Sequence, residues 1–293
     1  MRRSSGERLF SVCNTVLLLM LALITLYPLI YVLFASLSDP LKLSGTKGLM
    51  LRPSGFSWQG YAMVLHNPNI WNGYINTCLY VGLGTTVSLF MTTISAFVLT
   101  REGFKLRKPL YVAIIFTMFF SGGMIPRFLL IRTLGLYNNI GAMILPEAIS
   151  TYNLLVMCNS MRSIPKGLEE SAYIDGANDI QVLWYILVPL LKQTLAVMVL
   201  FYAVYNWNAW FDAMLFLRDR SKFPLQLFLR EILIQDSTTE MTVEMDMMQA
   251  SETYYRPLLQ YCTIIVTTIP ILMIYPFLQK YFVKGVMIGA VKG

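Results

Sequence analysis

The chain has 293 residues, of which 23 are Lys or Arg and 16 are Asp or Glu, so charged residues make up only 13%. An ordinary soluble domain carries ~25% charged residues. Hydrophobic residues make up 56% of the chain and the mean hydropathy is +0.57, which argues against a disordered chain, a disulfide-rich miniprotein or a nucleic-acid-binding domain. We therefore interpret the net charge of +7 first as a sign of membrane topology.

Charged residues are absent from several long stretches, and a helix needs ~20 apolar residues to cross ~30 Å of hydrocarbon. The stretches are residues 9–38, 53–100, 109–126, 193–211 and 257–279. They predict an all-α integral membrane protein with six transmembrane helices. We place the spans near residues 10–37, 73–100, 109–130, 143–161, 191–216 and 257–281.

The N-terminus predicts an uncleaved signal anchor, because the apolar stretch behind the basic residues 1–8 is longer than the ~7–15 residues of a signal-peptide core. With the N-terminus in the cytoplasm, the inner segments hold 13 of the 23 Lys and Arg residues, four of them in 101–108. We therefore expect a cytoplasmic N-terminus. The expected organisation is an anchor and extracytoplasmic loop (1–72), a five-span core (73–283) and a cytoplasmic tail (284–293).

The inner connection at residues 162–190 is patterned, unlike a plain linker. Pro165 ends one helix, and Leu168, Ala172 and Tyr173 follow at helical spacing. Gly176 can end that helix, and residues 179–188 resume a helical pattern. A helix lying on lipid would favour Lys and Arg, whereas this stretch is net acidic, so we expect it to bind a protein.

Polar groups inside predicted spans are candidates for a substrate path, because ionisable residues at membrane depth are functional by default. Glu147 and Asp212 are the acids of this kind, although both are expected near the outer interface. The fifth span adds aromatic rings and amides that suit sugars, and the same groups could instead bond between helices. The candidate path residues are Tyr205, Asn206, Trp207, Asn208, Trp210, Asp212 and Glu147.

Motifs for catalysis are absent from the sequence. It contains no phosphate-binding G-x-x-x-x-G-K-[ST] loop, no dinucleotide fingerprint, no H-E-x-x-H and no G-x-S-x-G. We expect a protein that is not an enzyme, holds no metal or cofactor and binds no nucleic acid. If ATP energises its work, another subunit must hydrolyse it.

Residues 170–189 resemble the EAA loop of the membrane subunits of ABC importers. The match consists of Glu170-Ser171-Ala172, Gly176, Ile186 and Val188-Pro189, with Ser171 and Val188 departing from the family pattern. Residues 174–177 are typical of carbohydrate importers. Residues 120–126, 207–212 and 284–293 resemble the branch that handles complex or oligomeric saccharides.

The resemblance implies a type I ABC importer permease fold with a cytoplasmic coupling helix, in the bacterial cytoplasmic (inner) membrane and embedded in lipid. It also implies a second, homologous permease subunit, two ABC ATPase subunits that hold ATP and Mg, an extracytoplasmic solute-binding protein and a saccharide substrate. Glu170 matches the acid that pairs with a basic residue of the ATPase. The residues expected to couple to the ATPase are Glu169, Glu170, Ser171, Ala172, Asp175, Gly176 and Ala177.

Two alternatives stay open. One is an ABC permease for another solute, such as a peptide. The other is a secondary carrier or channel, for which an internal repeat would be expected, and we see none in the sequence.

Overall fold

The computed structural model describes residues 5–46, 48–234 and 252–290, and these contain helices and no β-strand, which confirms the all-α prediction for this part of the chain. The chain divides into two compact units. The first combines Met1–Pro68 with Leu229–Ile269, and the second combines Asn69–Phe228 with Pro270–Gly293.

The first unit opens with a long apolar helix. Its helices are α1 (Ser5–Ser36), α2 (Pro40–Gly45) and α3 (Gln59–His66). The segment Leu9–Ser36 is long and apolar enough to cross a membrane, and its apolar window is not buried inside the protein. Asp39 caps α2 by accepting hydrogen bonds from the backbone N–H groups of Leu41 (3.0 Å) and Lys42 (3.3 Å).

The C-terminal helix α14 (Glu252–Ala290) contributes its first turns to this unit. The Sγ of Cys262 lies 3.3 Å from the carbonyl oxygen of Ser36. A Cβ at Gly60 would lie 2.7 Å from that Sγ, so only a glycine lets α3 approach α14 so closely.

The second unit is built on the long helix α4. Its helices are α4 (Pro68–Thr100), α5 (Arg107–Phe119), α6 (Met124–Thr133), α7 (Gly141–Ile144), α8 (Thr151–Arg162), α9 (Lys166–Ile174), α10 (Asp179–Leu190), α11 (Lys192–Trp207) and α12 (Trp210–Phe216). A short 3₁₀ turn (Arg220–Lys222) follows, and α13 (Leu225–Ile234) continues into the first unit.

The core of the second unit joins α4, α8, α9, α10 and α11. Its buried members include Phe97, Met157, Ala172, Leu187 and Met198. The segment after α8 is therefore packed onto the long helices and is not a free linker.

Three described helices are long and apolar enough to span a membrane, or four if one bent pair counts as one span. They are Leu9–Ser36, Pro68–Thr100 and Tyr255–Met273, and the bent pair is Asp179–Leu190 with Lys192–Trp207. The predicted third, fourth and fifth spans are not single helices in the structure, and the fifth is divided between α11 and α12. The third is broken between α5 and α6 at Gly123, which adopts a positive φ of 83°. The fourth reduces to α8, preceded by α7 and a non-helical stretch.

The bend of 83° falls at Leu191, the start of the predicted fifth span and two residues after Pro189. Pro189 has no N–H to donate and crowds the carbonyl of Tyr185. The preceding turns adopt a π-helix at Val182–Leu187, the wider geometry that often appears where regular bonding is interrupted.

The stretch 53–72, part of the expected extracytoplasmic loop, contains α3, which ends at His66, and the first turns of α4. Pro68 starts α4, where its missing N–H costs no helical bond. Similarly, α14 begins at Glu252, five residues before the start predicted for the sixth span at Pro257. Residues 291–293 of the expected tail lie outside the described residues.

Candidate functional site

The segment 166–190 is a helix–glycine–helix element, which we call the loop element. Helix α9 ends in a Schellman motif, in which Gly176 has a φ of 85°. The Gly176 N–H donates to the Tyr173 carbonyl (3.1 Å), and the Ala177 N–H donates to the Ala172 carbonyl (2.9 Å). Glycine is suited to this position because a Cβ is disfavoured at positive φ.

A capping box opens α10. The Asn178 side chain accepts from the Gln181 N–H, and the Gln181 side chain accepts from the Asn178 N–H, both at 2.9 Å. Our reading of the sequence missed this pair, although the spacing of a capping residue and a Gln three positions later was visible. The box sets where the second helix starts after Gly176.

Two adjacent acids of the loop element differ in their exposure and their partners. Glu169 contacts the guanidinium of Arg101, with a distance of 3.1 Å between Nη2 and Oε1 and a second contact between Nη1 and Oε2. Glu170 is exposed. Of the other residues expected to couple, Ser171, Asp175 and Gly176 are exposed, whereas Ala172 is buried and Ala177 half-buried against the core.

Charged groups beside the loop element shift one another's pKa values so that the charged forms are favoured. Burial lowers the pKa of Arg101, but the hydrogen bond and charge of Glu169 outweigh it and raise that pKa above its ordinary value. The hydrogen bond and charge of Lys166 lower the pKa of the exposed Glu102, and those of Glu102 raise the pKa of Lys166. Arg101, Glu102 and Lys166 therefore stay charged at neutral pH. They line a cleft of about 540 Å³ together with Glu170 and Tyr173.

A second group of charged residues, which we call the Arg127 cluster, lies between α6, the segment after α7, α11 and α12. The Nη2 of Arg127 is 2.9 Å from Oε1 of Glu147 and 3.3 Å from Oδ2 of Asp212. The hydroxyl of Tyr205 donates to the same Asp212 oxygen at 3.2 Å. The guanidinium also lies over the ring of Phe216, 5.5 Å from its centroid.

The structure thus brings together Glu147, Tyr205 and Asp212 from the predicted path, and it adds Arg127. That arginine ends the charge-free stretch 109–126 and falls inside the predicted third span, so its position in the sequence could have identified it. Glu147 lies between α7 and α8, whereas the predicted fourth span (143–161) placed it inside one spanning helix.

Two clefts adjoin the Arg127 cluster. One, of about 340 Å³, is lined by aromatic rings and polar groups and is called here the aromatic cleft. Its lining residues are Glu147, Ser150, Tyr152, Asn153, Phe201, Tyr202 and Tyr205. The other, of about 530 Å³, is lined by Arg127 and the glycine-containing break before α6. Tyr152 and Phe201 were not singled out from the sequence because neither stands in a recognisable motif.

The remaining path candidates do not join the cluster. Asn206 is buried and donates to the Tyr202 carbonyl at 2.9 Å, against Gly84. Trp207 is buried, and its indole N–H has no hydrogen-bond partner among the described residues. Asn208 is exposed and donates to the Val204 carbonyl at 2.8 Å. Trp210 packs at the edge of a small core cluster around Tyr80.

The described residues contain no group of three or more His, Cys, Asp or Glu placed to hold a metal ion, at either site or elsewhere. The chemistry that the two sites can perform is recognition. The loop element presents an exposed acid and apolar surface, and the aromatic cleft presents rings beside a carboxylate and an amide.

Comparison with known proteins gives a consistent result over nearly the whole chain. Residues 79–288 match the model of the family described as binding-protein-dependent transport system inner membrane component. The chain is 39% identical to the polygalacturonan/rhamnogalacturonan transport system permease protein YtcP of Bacillus subtilis, over 98% of this chain and 99% of that protein. It is 38% identical to the protein LplC of Bacillus subtilis, over 100% and 98% of the two chains.

A solved structure shares the fold. It is the crystal structure of a bacterial ABC transporter involved in the import of the acidic polysaccharide alginate. The match has a TM-score of 0.89 at 34% identity and covers 96% of this chain and 99% of that one.

Proposed function

Because the chain belongs to the family of inner membrane components of binding-protein-dependent transport systems, we propose that it is a translocation subunit of an ATP-driven importer for oligo- or polysaccharides. It forms one half of the pathway and does not itself hydrolyse ATP. The partners are a second, homologous permease subunit, two ABC ATPase subunits that hold ATP and Mg, and an extracytoplasmic solute-binding protein. A relative named for polygalacturonan and rhamnogalacturonan transport and a solved transporter involved in alginate import support a saccharide substrate, and alginate is a candidate.

The observation that carries the proposal is the loop element. It holds an exposed acid, Glu170, on a short helix that is anchored to the core of the second unit through Ala172. When a soluble partner displaces such an element, the displacement is transmitted to the long helices, because close-packed side chains move together. In this proposal, α9 is the coupling helix and Glu170 pairs with a basic residue of the ATPase.

Six spans and a cytoplasmic N-terminus complete the proposal. Helices α1, α4 and α14 each suffice for one crossing by length and composition, and a fourth is assigned to α11, the half of the bent pair that follows the loop element. The segments from α5 to α6 and from α7 to α8 would supply the other two as broken crossings. Broken helices are tolerated at membrane depth where they line a cavity, and α6 does line the cleft beside Arg127.

The experiment is to purify the complex through a tag on this chain and to reconstitute it in liposomes with the solute-binding protein. We expect a nucleotide-binding subunit to co-purify and saccharide uptake to require ATP. Uptake driven by a proton gradient without ATP would favour the secondary carrier. ATP-dependent uptake of peptide but not saccharide would favour the other ABC alternative.

The aromatic cleft is the proposed substrate contact, since sugar rings present C–H faces to aromatic rings and hydroxyls to carboxylates and amides. Tyr152 is exposed and its ring lies 6.3 Å from that of Phe201. Tyr152→Ala is expected to raise the KM for saccharide roughly tenfold, which corresponds to about 1.4 kcal/mol of binding.

Tyr152→Phe is the matched control because it keeps the ring, and its KM should stay near the wild-type value. Initial uptake rates at graded substrate concentrations measure both variants. An alanine variant with an unchanged KM would remove Tyr152 from the path.

A further inference from the structure

Two residues that directly follow α4 pair with two residues of α9. Arg101 contacts Glu169, and Glu102 contacts Lys166, so the two ion pairs run in opposite charge order. Positions 166 and 169 are three apart and therefore lie on one face of the helix. This pattern favours one rotation of α9 about its own axis over the others.

The Arg101–Glu169 pair is expected to hold α9 more firmly than the Glu102–Lys166 pair does. The side chains of Arg101 and Glu169 are 24% and 16% exposed, against 72% and 74% for Lys166 and Glu102. The Arg101 guanidinium also stacks 4.2 Å above the centroid of the Phe97 ring, which belongs to the same core cluster as Ala172. Exposed ion pairs contribute little, whereas a bidentate pair held against a ring resists displacement.

We propose that Arg101 is a positioning residue that fixes the rotation of α9 and transmits its movement to α4. Adjacent residues on a helix are about 100° apart, so holding Glu169 inward turns Glu170 outward. Of the two neighbouring acids, Glu169 thus serves an internal bridge and Glu170 is left for the partner. This inference rests on the proposed function, because it assumes that α9 meets an ATPase subunit.

The test uses the full complex in liposomes, with ATP hydrolysis and saccharide uptake measured on the same preparation. Arg101→Gln and Glu169→Gln should each keep the ATPase subunit bound, yet lower the uptake per ATP hydrolysed by roughly tenfold. The swapped variant, Arg101→Glu with Glu169→Arg, should recover a substantial part of that ratio, although it loses the stacking on Phe97. Lys105→Gln, an exposed cation in the same connection, is the matched control.

The outcomes separate the inference from the proposed function. A wild-type complex without ATP-dependent saccharide uptake would refute the proposed function. A wild-type complex that couples, with Arg101→Gln and Glu169→Gln at the same uptake per ATP, would overturn the inference alone. A swapped variant whose uptake per ATP hydrolysed is no higher than that of either single variant would also overturn the inference.

If Arg101→Gln and Glu169→Gln are not found in the membrane, Arg101→Lys becomes the deciding variant. Its ammonium keeps the charge but cannot hold both carboxylate oxygens in a planar fork. A lowered uptake per ATP in this variant supports the positioning role, and a wild-type ratio overturns it.

Discussion

Arg127→Met should give an unstable permease with at least about tenfold lower uptake. The substitution keeps the length of the side chain but leaves the carboxylates of Glu147 and Asp212, which contact one guanidinium nitrogen, without their cation. Breaking a fully buried pair costs about 3–5 kcal/mol. Since the side chains of Arg127 and Glu147 are 34% and 35% exposed, we expect roughly 1–3 kcal/mol here.

The measurements are the melting temperature of the purified complex in detergent and the rate of ATP-dependent uptake. Arg132→Met, an exposed arginine on the same helix, is the matched control and should change neither. If charge balance is the cause, adding Glu147→Gln and Asp212→Asn to Arg127→Met should restore much of the stability. A triple variant less stable than Arg127→Met would show that the carboxylates have other essential partners.

Gly176→Val should abolish the coupling of uptake to ATP hydrolysis while leaving membrane insertion intact. A Cβ at Gly176 would meet no atom within 4 Å, so the φ of 85° is the sole obstacle that the structure shows in the described residues. A side chain costs roughly 1–2 kcal/mol in this left-handed region, and a β-branched one more. The loss of coupling is expected to be smallest for Gly176→Asn, larger for Gly176→Ala and largest for Gly176→Val, because Asn adopts this conformation most readily.

Gly167 offers the matched control, since it lies on α9 with open space around it and no positive φ. Gly167→Ala should therefore preserve uptake and substrate-stimulated ATP hydrolysis. Insertion is followed by the amount of each variant in washed membranes. A Gly176→Val variant that transports normally would mean that the Schellman turn is not needed for coupling.

Much of the fold could be predicted from the sequence where the signal is local. Charge-free stretches marked α1, α4 and α14, because a membrane excludes charge residue by residue. Glycine at position 176 indicated where α9 ends, since the conformation of a helix end depends on a few neighbouring residues. The capping box at Asn178 was equally local and could have been recognised.

Other features depended on distant partners. The break between α5 and α6 did not follow from hydropathy, because an apolar composition suits one straight helix or two shorter ones. Likewise, Glu169 and Glu170 are indistinguishable in the sequence. Their separation depends on Arg101, which lies 68 residues before Glu169.

The sequence by itself thus determined the membrane class, the long helices and the position of the loop element, since each follows from patterns within one segment. Only the tertiary structure decided which of the two neighbouring acids faces inward. It also decided that Arg127 contacts Glu147 and Asp212, the second of which lies 85 residues further along the chain. The physical reason is that a charge in a membrane protein is tolerated where its counter-charge lies. That position is set by the packing of helices that are far apart in the chain.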